Sequence, residues 1–209
     1  MVSGVMLRHP ALVAKMAITL DHISHGRALC GMGAGWFRQE AEMYGIPWPS
    51  IGERLARLEE AAHVCRSLFD DQRTTYHGQH FRLTDAAAAP KPIQSHLPLL
   101  IGGGGERRTM RIAARHADIW NTFGSPPSMR RKVATLHRDC ADVGRDPSAI
   151  MPTVALMLDR DEGVERVAAL FADYRRAGIG GIVIDLPAPY DLSLLEHAAQ
   201  ARTGLGRGR

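Results

Sequence analysis

The sequence predicts an α/β protein in which helices cover a parallel sheet. Two observations support this fold class, and a third predicts a single domain. Short apolar runs alternate six times with amphipathic helical patterns along the 209 residues, as is typical of β/α units. Glycine-rich turns directly follow two of the apolar runs. No shift in composition marks a boundary, so we expect residues 1–209 to form a single domain.

The N-terminal half contains two of the predicted strands and two of the helices. In order, these are a strand over 2–7, a helix that begins at Pro10, a strand over 28–31 and a helix over 53–69. Proline suits the first position of a helix, and Gly26 ends the helix that Pro10 begins. The buried face of this first helix is predicted to be formed by Leu12, Val13, Met16, Ala17 and Leu20.

Residues 71–97 interrupt the alternation and are predicted to form an insertion loop. Three prolines prevent a helix near its end, namely Pro90, Pro92 and Pro98. The stretch 76–83 is consistent with a small hairpin around Gly78.

The C-terminal half repeats the strand–helix pattern. The predicted strands cover 99–101, 117–122, 152–158 and 179–186, and the predicted helices cover 106–117, 127–143, 162–177 and 192–202. Parallel strands end at one edge of the sheet, where the ligands of such proteins bind. An eight-unit barrel takes about 250 residues, so six units form either an open sheet or a barrel that lacks two units.

Four consecutive glycines, Gly102–Gly105, follow the apolar run 99–101 and precede a helical pattern. A strand, a glycine turn and a helix start together point backbone N–H groups at an anion. Glycine also lets the backbone approach a ligand closely. Arg107 or Arg108 would add a guanidinium to a bound phosphate. The alternative is a turn that binds nothing.

A second glycine turn follows the strand over 28–31, where residues 30–36 read CGMGAGW. The spacing does not fit a dinucleotide-binding motif, because the third glycine comes one residue early and a proline-containing loop follows. The turn at 102–105 lacks the Lys-Ser/Thr pair of a P-loop, which disfavours nucleotide triphosphate hydrolysis. Two such turns at neighbouring strand ends predict a phosphate-bearing cofactor.

Three other side chains are candidates for ligand contacts. Asn121 and Thr122 end a predicted strand at the functional edge, where they would hydrogen-bond a ligand or simply form a turn. Trp36 would stack on a flat ring, line an apolar pocket or belong to a core lid. No metal site is predicted, and no nucleophile arrangement is recognisable, so the catalytic residues stay unassigned.

Composition excludes several classes of partner. The net charge is only +4, and the arginines form no nucleic-acid-binding arm. No apolar run approaches the roughly 20 residues that cross a membrane, and no signal sequence is present, so a cytoplasmic protein is expected. The three cysteines are far apart in the sequence and are expected to be buried, reduced thiols.

Seven motifs occur in a fixed order between residue 1 and about residue 125: RHP, LVAKMAITLDHISHGR, GMGAGW, ERLARLEEA, PKPIQ, IGGGGERR and AARHADIWN. Together they resemble the luciferase-like monooxygenase superfamily, and most of all its F420-dependent oxidoreductases. The resemblance implies a (β/α)8 TIM barrel. Residues 1–7 would be the family's third strand, so we expect an incomplete barrel with strands three to eight and without the first two β/α units.

The resemblance also implies a site. Two phosphate-contacting turns would be formed by Gly33, Ala34 and Gly35, and by Gly103, Gly104 and Gly105 with Arg107. Asn121 and Thr122 would lie beside the flavin-like ring, and Trp36 would face the substrate. The implied function is hydride transfer between coenzyme F420 and a small organic substrate.

Two other functions stay open. One is an FMN-dependent monooxygenase of the same superfamily, and the other is a degenerate, non-catalytic module that binds a cofactor or dimerises. A barrel without two strands leaves unpaired strand edges, which invite pairing with another chain, so a homodimer is expected.

Overall fold

The computed structural model of the chain describes residues 2–159, 162–186, 188, 190 and 192–206. Within these ranges the strands are β1 (Ser3–Gly4), β2 (Cys30–Gly33), β3 (Thr74–His77), β4 (Arg82–Ala86), β5 (Leu99–Gly102), β6 (Ile119–Thr122), β7 (Met151–Met157) and β8 (Gly181–Asp185). The α-helices are α1 (Pro10–Ile23), α2 (Arg38–Met43), α3 (Ile51–Asp70), α4 (Thr109–His116), α5 (Pro126–Asp142), α6 (Val164–Arg176) and α7 (Ser193–Gly206).

The main sheet confirms the predicted α/β class. Its six strands are parallel and lie in the order β1-β2-β5-β6-β7-β8, so the sheet is open, with β1 and β8 at its edges. The other two strands form an antiparallel hairpin. Strands and helices alternate along the chain, and the side chains of β5 are almost fully buried between the layers.

Two predicted boundaries near the glycine turns are wrong. Strand β2 begins two residues later than expected and includes Gly31 and Gly33, because the glycines pair in register with β5. Helix α4 begins at Thr109 rather than Glu106, since the Met110 N–H bonds to the Gly105 carbonyl and residues 106–108 form a turn. The later start of α4 lengthens the non-helical segment after β5.

The predicted buried face of α1 is wrong for its three largest side chains, whereas Ala17 is buried as predicted and Val13 packs half-buried against the core. Leu12, Met16 and Leu20 are 52%, 43% and 54% exposed. The buried face contains Ala14, Ala17, Ile18 and the carboxylate of Asp21. This carboxylate accepts hydrogen bonds from the Ile93 and Gln94 N–H groups at 2.8 and 3.1 Å. The helix is therefore oriented by small residues and a buried acid, both of which an apolar pattern misses.

The hairpin around Gly78 is confirmed and is held to α3 by one carboxylate. Glu60 accepts hydrogen bonds of 2.9–3.0 Å from the N–H groups of Gln79, His80 and Phe81. A Cβ on Gly78 would lie within 2.3 Å of Glu60 Oε2, so only glycine lets the turn approach the helix this closely.

An ionic cluster holds the amino ends of the central strands. Asp118, just before β6, accepts hydrogen bonds from Arg66 Nη2 at 2.5 Å and from the Leu99 N–H at 2.8 Å. His96 Nε2 and Arg145 Nη2 lie 2.9 and 3.6 Å from its other oxygen. The cluster joins α3, β5, β6 and the segment after α5 at the edge opposite the glycine turns.

Two further expectations concern the chain as a whole. Cys30, Cys65 and Cys140 are free and buried, as predicted. No helix in the described ranges is long and apolar enough to cross a bilayer.

His116, at the end of α4, makes folding sensitive to acid. Burial is the main cause that lowers the pKa of His116, to about 4, from its ordinary value of 6.5. As the pH falls, His116 therefore binds a proton at a higher pH in the unfolded chain than in the folded one. Stability attributable to this residue is complete above about pH 6.5 and decreases by up to about 3 kcal/mol as the pH falls to about 4.

We expect His116→Asn to reduce this acid-induced decrease in the free energy of unfolding. The measurement is urea unfolding of the wild type and the variant at pH 7.5 and pH 4.5, with exposed His137→Asn as the matched control. An equal acid-induced loss in all three proteins would contradict the role of His116.

Candidate cofactor-binding site

The two glycine turns lie side by side at the carboxyl edge of the sheet. Strands β2 and β5 are neighbours, and Gly33 pairs with Gly102 in the register of the ladder. A Cβ on Gly102 would lie 2.9 Å from Val2 Cγ1, and a Cβ on Gly33 would lie 3.4 Å from the Gly102 carbonyl oxygen. Glycine at 102 leaves room for the Val2 side chain, and the shared register places the two turns side by side, as the prediction of a joint site requires.

The turn after β5 is fixed by β6. The Gly103 N–H donates to the Asn121 carbonyl at 2.9 Å, and Trp120 Nε1 donates to the Gly103 carbonyl at 2.9 Å. Gly103 has a φ of +134°, which side chains rarely tolerate. The next three N–H groups, of Gly104, Gly105 and Glu106, donate no hydrogen bond within the described residues. These three donors are free to bind an anion.

The end of β6 places one of the two candidate side chains beside this turn. A Cβ on Gly104 would lie 2.6 Å from Thr122 Oγ1, so the hydroxyl and the turn backbone are in close contact. Asn121 differs, because its side chain is buried and its Nδ2 donates to Thr153 Oγ1 at 2.9 Å. Asn121 therefore ties β6 to β7, and Thr122 is the side chain that faces the turn.

The turn after β2 is covered by an aromatic side chain that the sequence did not indicate. Gly35 has a φ of +81°, and a Cβ there would lie 3.1 Å from the Trp48 ring. Arg54 Cζ lies 3.8 Å from the centroid of the Trp48 ring, so the guanidinium stacks on the indole. Arg54 is only 8% exposed, and its Nε and Nη1 have no hydrogen-bond partner in the described part of the chain.

Burial without a compensating charge lowers the pKa of Arg54. Stacking on Trp48 replaces part of the lost hydration of the guanidinium. The loop between α2 and α3 thus covers Gly35 and Arg54 together.

Two predicted ligand-binding side chains make few contacts. Trp36 is 87% exposed, and its ring lies 5.3 Å from the ring of Phe37, so it is not part of a core lid. Arg107 is exposed and forms no hydrogen bond or ion pair within the described ranges. The neighbouring Arg108 donates from Nη1 to the Gly52 carbonyl at 3.0 Å and so ties the turn to α3.

One cation at the site escaped prediction. Lys132 follows Arg130 and Arg131 in the sequence, a pattern typical of a solvated helix face, but its Nζ lies 3.0 Å from where a Cβ on Gly104 would be. The ammonium donates to the Phe123 carbonyl at 3.1 Å. The only sequence signal is its place in the second turn of the helix after β6. No group of three or more His, Cys, Asp or Glu side chains in the described ranges would hold a metal ion.

An open parallel sheet of β/α units with adjacent glycine turns at its carboxyl edge defines a barrel-like α/β protein, and the turns form its candidate cofactor site. Residues 1–206 match the luciferase-like monooxygenase family, and the chain belongs to this family. The resemblance found from the motifs is therefore confirmed.

Relatives and solved structures agree with this assignment. An uncharacterised Mycobacterium tuberculosis protein is 35% identical over 137 residues, which are 66% of this chain and 48% of the relative. The FMNH2-dependent dimethylsulfone monooxygenase of Pseudomonas putida is 29% identical over 161 residues, 77% of this chain and 44% of that enzyme. The chain thus spans about half the length of the curated relatives it matches.

A solved F420-dependent secondary alcohol dehydrogenase, in complex with an F420-acetone adduct, is similar in structure. The TM-score is 0.78 at 20% sequence identity, with 88% of this chain and 71% of that chain covered. This likeness confirms the incomplete, TIM-barrel-like fold.

Proposed function

We propose that this chain binds coenzyme F420 and catalyses hydride transfer between F420 and a small organic substrate. One observation carries the proposal: two glycine turns are paired at the carboxyl edge of the sheet, and three consecutive N–H groups are open at the second of them. Such donors favour the phosphate of a cofactor.

The residues present fit the phosphate end of such a cofactor. Gly104, Gly105 and the Thr122 hydroxyl would hold the phosphate, with Gly33, Ala34 and Gly35 on the neighbouring turn. Arg107 is exposed and unpaired within the described ranges, so it is free to turn toward an anionic tail. Trp36 would offer its exposed face to the substrate. When bound, F420 supplies the carbon centre that accepts or donates the hydride.

A second candidate is an FMN-dependent monooxygenase. The relationship to the FMNH2-dependent dimethylsulfone monooxygenase favours it. Both cofactors carry a flavin-like ring and a ribityl phosphate, so the same glycine turns would serve either of them.

We also propose that the protein acts as a homodimer. The apolar side chains of Leu12, Met16 and Leu20 on α1 support this, because they are about half exposed on one helix.

Titration of the purified chain tests the proposed function. Changes in absorbance and fluorescence of F420 and FMN are followed as protein is added, and AMP, which has a phosphate but no flavin-like ring, is the control. We expect micromolar binding of F420 and no comparable binding of AMP. Preference for FMN would support the monooxygenase, binding without turnover would support the degenerate module, and absence of binding to both would overturn the proposal.

A further inference from the structure

We propose that Lys132 neutralises an anionic phosphate at the turn formed by Gly102–Gly105. This inference rests on the proposed function, since it assigns the charge partner of the same cofactor. It makes Lys132 a cofactor-binding residue.

The position of the ammonium is the first support. Lys132 Nζ lies 3.0 Å from where a Cβ on Gly104 would be, and Thr122 Oγ1 lies 2.6 Å from the same point. The three open N–H groups of Gly104, Gly105 and Glu106 belong to this turn. A hydroxyl and an ammonium therefore both lie against Gly104, within the turn that carries the open N–H groups.

The unused hydrogen-bonding capacity of Lys132 is the second support. An ammonium has three donors, and the structure gives it one acceptor, the Phe123 carbonyl at 3.1 Å. No carboxylate lies within ion-pair distance of Lys132 in the described part of the chain. The charge is thus uncompensated and retains two donors for an anion.

The other charged groups of the turn act differently. Glu106 and Arg107 are both exposed, and neither forms an ion pair in the described ranges. Arg108 is committed to the Gly52 carbonyl. Lys132 is the half-buried cation of this group, and its bond to Phe123 fixes the ammonium over Gly104. The unesterified oxygens of an anionic phosphate group match this set of donors.

Paired ligands that differ only in the phosphate test the inference. FMN and riboflavin are titrated into wild type, Lys132→Met, Lys132→Arg and the control Arg131→Met, which changes an exposed neighbour on α5. We expect K132M to weaken FMN binding about tenfold, the usual effect of losing one charge-assisted hydrogen bond, and to leave riboflavin binding unchanged. K132R should retain most of the affinity, and R131M should match wild type. Equal losses for FMN and riboflavin would contradict the assignment.

Inorganic phosphate tests the site without the ring. Its binding to the same four proteins is measured by phosphorus NMR line broadening. Broadening by wild type, K132R and R131M but not by K132M supports the inference, even if neither FMN nor F420 binds and the proposed function fails. The same broadening by K132M and wild type, or none by wild type, overturns it.

Discussion

Gly104→Val is expected to abolish binding of a phosphate-bearing cofactor and to leave the fold intact. The new Cβ would lie 2.6 Å from Thr122 Oγ1 and 3.0 Å from Lys132 Nζ, so both groups must move away from the turn. The valine side chain would then occupy the space between the turn, the Thr122 hydroxyl and the Lys132 ammonium. Because the φ of Gly104 is not in the left-handed region, the backbone itself is not strained by the substitution.

We expect a loss of cofactor affinity of at least about a hundredfold, which corresponds to about 2.7 kcal/mol. Fluorescence titration measures the affinity, and far-UV circular dichroism shows that the secondary structure is retained. Gly163→Val is the matched control, since a Cβ there meets no atom within 4 Å and φ is not positive. Unchanged affinity in G104V would remove the phosphate role of this turn.

Asp118→Ala is expected to have the largest effect on stability, a decrease of about 3 kcal/mol in the free energy of unfolding. The carboxylate joins Arg66, Arg145, His96 and the Leu99 N–H. Removing it leaves two partly buried guanidinium groups without their shared counter-ion. The cost follows from the unpaired charges that remain, more than from the bonds that are lost.

Urea unfolding measures this effect, with the exposed Asp142→Ala as a control that should stay within about 0.5 kcal/mol of wild type. The cluster lies at the opposite edge of the sheet from the glycine turns. The folded fraction of D118A should therefore bind cofactor as wild type does. A stability loss below about 1 kcal/mol would show that the cluster is solvated and contributes little.

These two residues differ in how far the sequence reveals them. The glycines of 102–105 are visible because a run of four after an apolar strand has few explanations. Nothing in the sequence singles out Asp118, since its partners Arg66 and His96 are distant in the chain and meet it only in the folded state. Sites in which backbone N–H groups bind the ligand are therefore easier to predict from a sequence than clusters of charged side chains that are distant in the chain.

The alternation of strands and helices was predictable because each element carries its own apolar periodicity. The inward face of α1 was not, because small alanines and the buried Asp21 outweigh the larger Leu12 and Leu20. Burial of the Asp21 carboxylate is stabilised by hydrogen bonds from the backbone N–H groups of residues 93 and 94. These partners are distant in the sequence, so no local pattern reveals them.

The candidate site was predictable in its backbone and not in its cations. The two glycine turns lie side by side, as predicted, whereas Thr122, which the resemblance places beside the flavin-like ring, lies against Gly104. Lys132 and Arg54 were missed, since a lysine among arginines on a helix and an arginine in a charged helical motif are ordinary surface patterns. Only the packing of α5 against the turn and of Trp48 over Gly35 distinguishes them.

The central claim is that the two glycine turns together form the phosphate end of a flavin-type cofactor site. Its most direct test is a two-dimensional NMR titration of the chain, labelled with nitrogen-15 glycine, with F420 and with FMN. We predict saturable shifts of the amide signals of Gly33, Gly35, Gly103, Gly104 and Gly105, and no shift of Gly144 or Gly163. Shifts confined to other glycines, or no saturable shift with either cofactor, would contradict the claim.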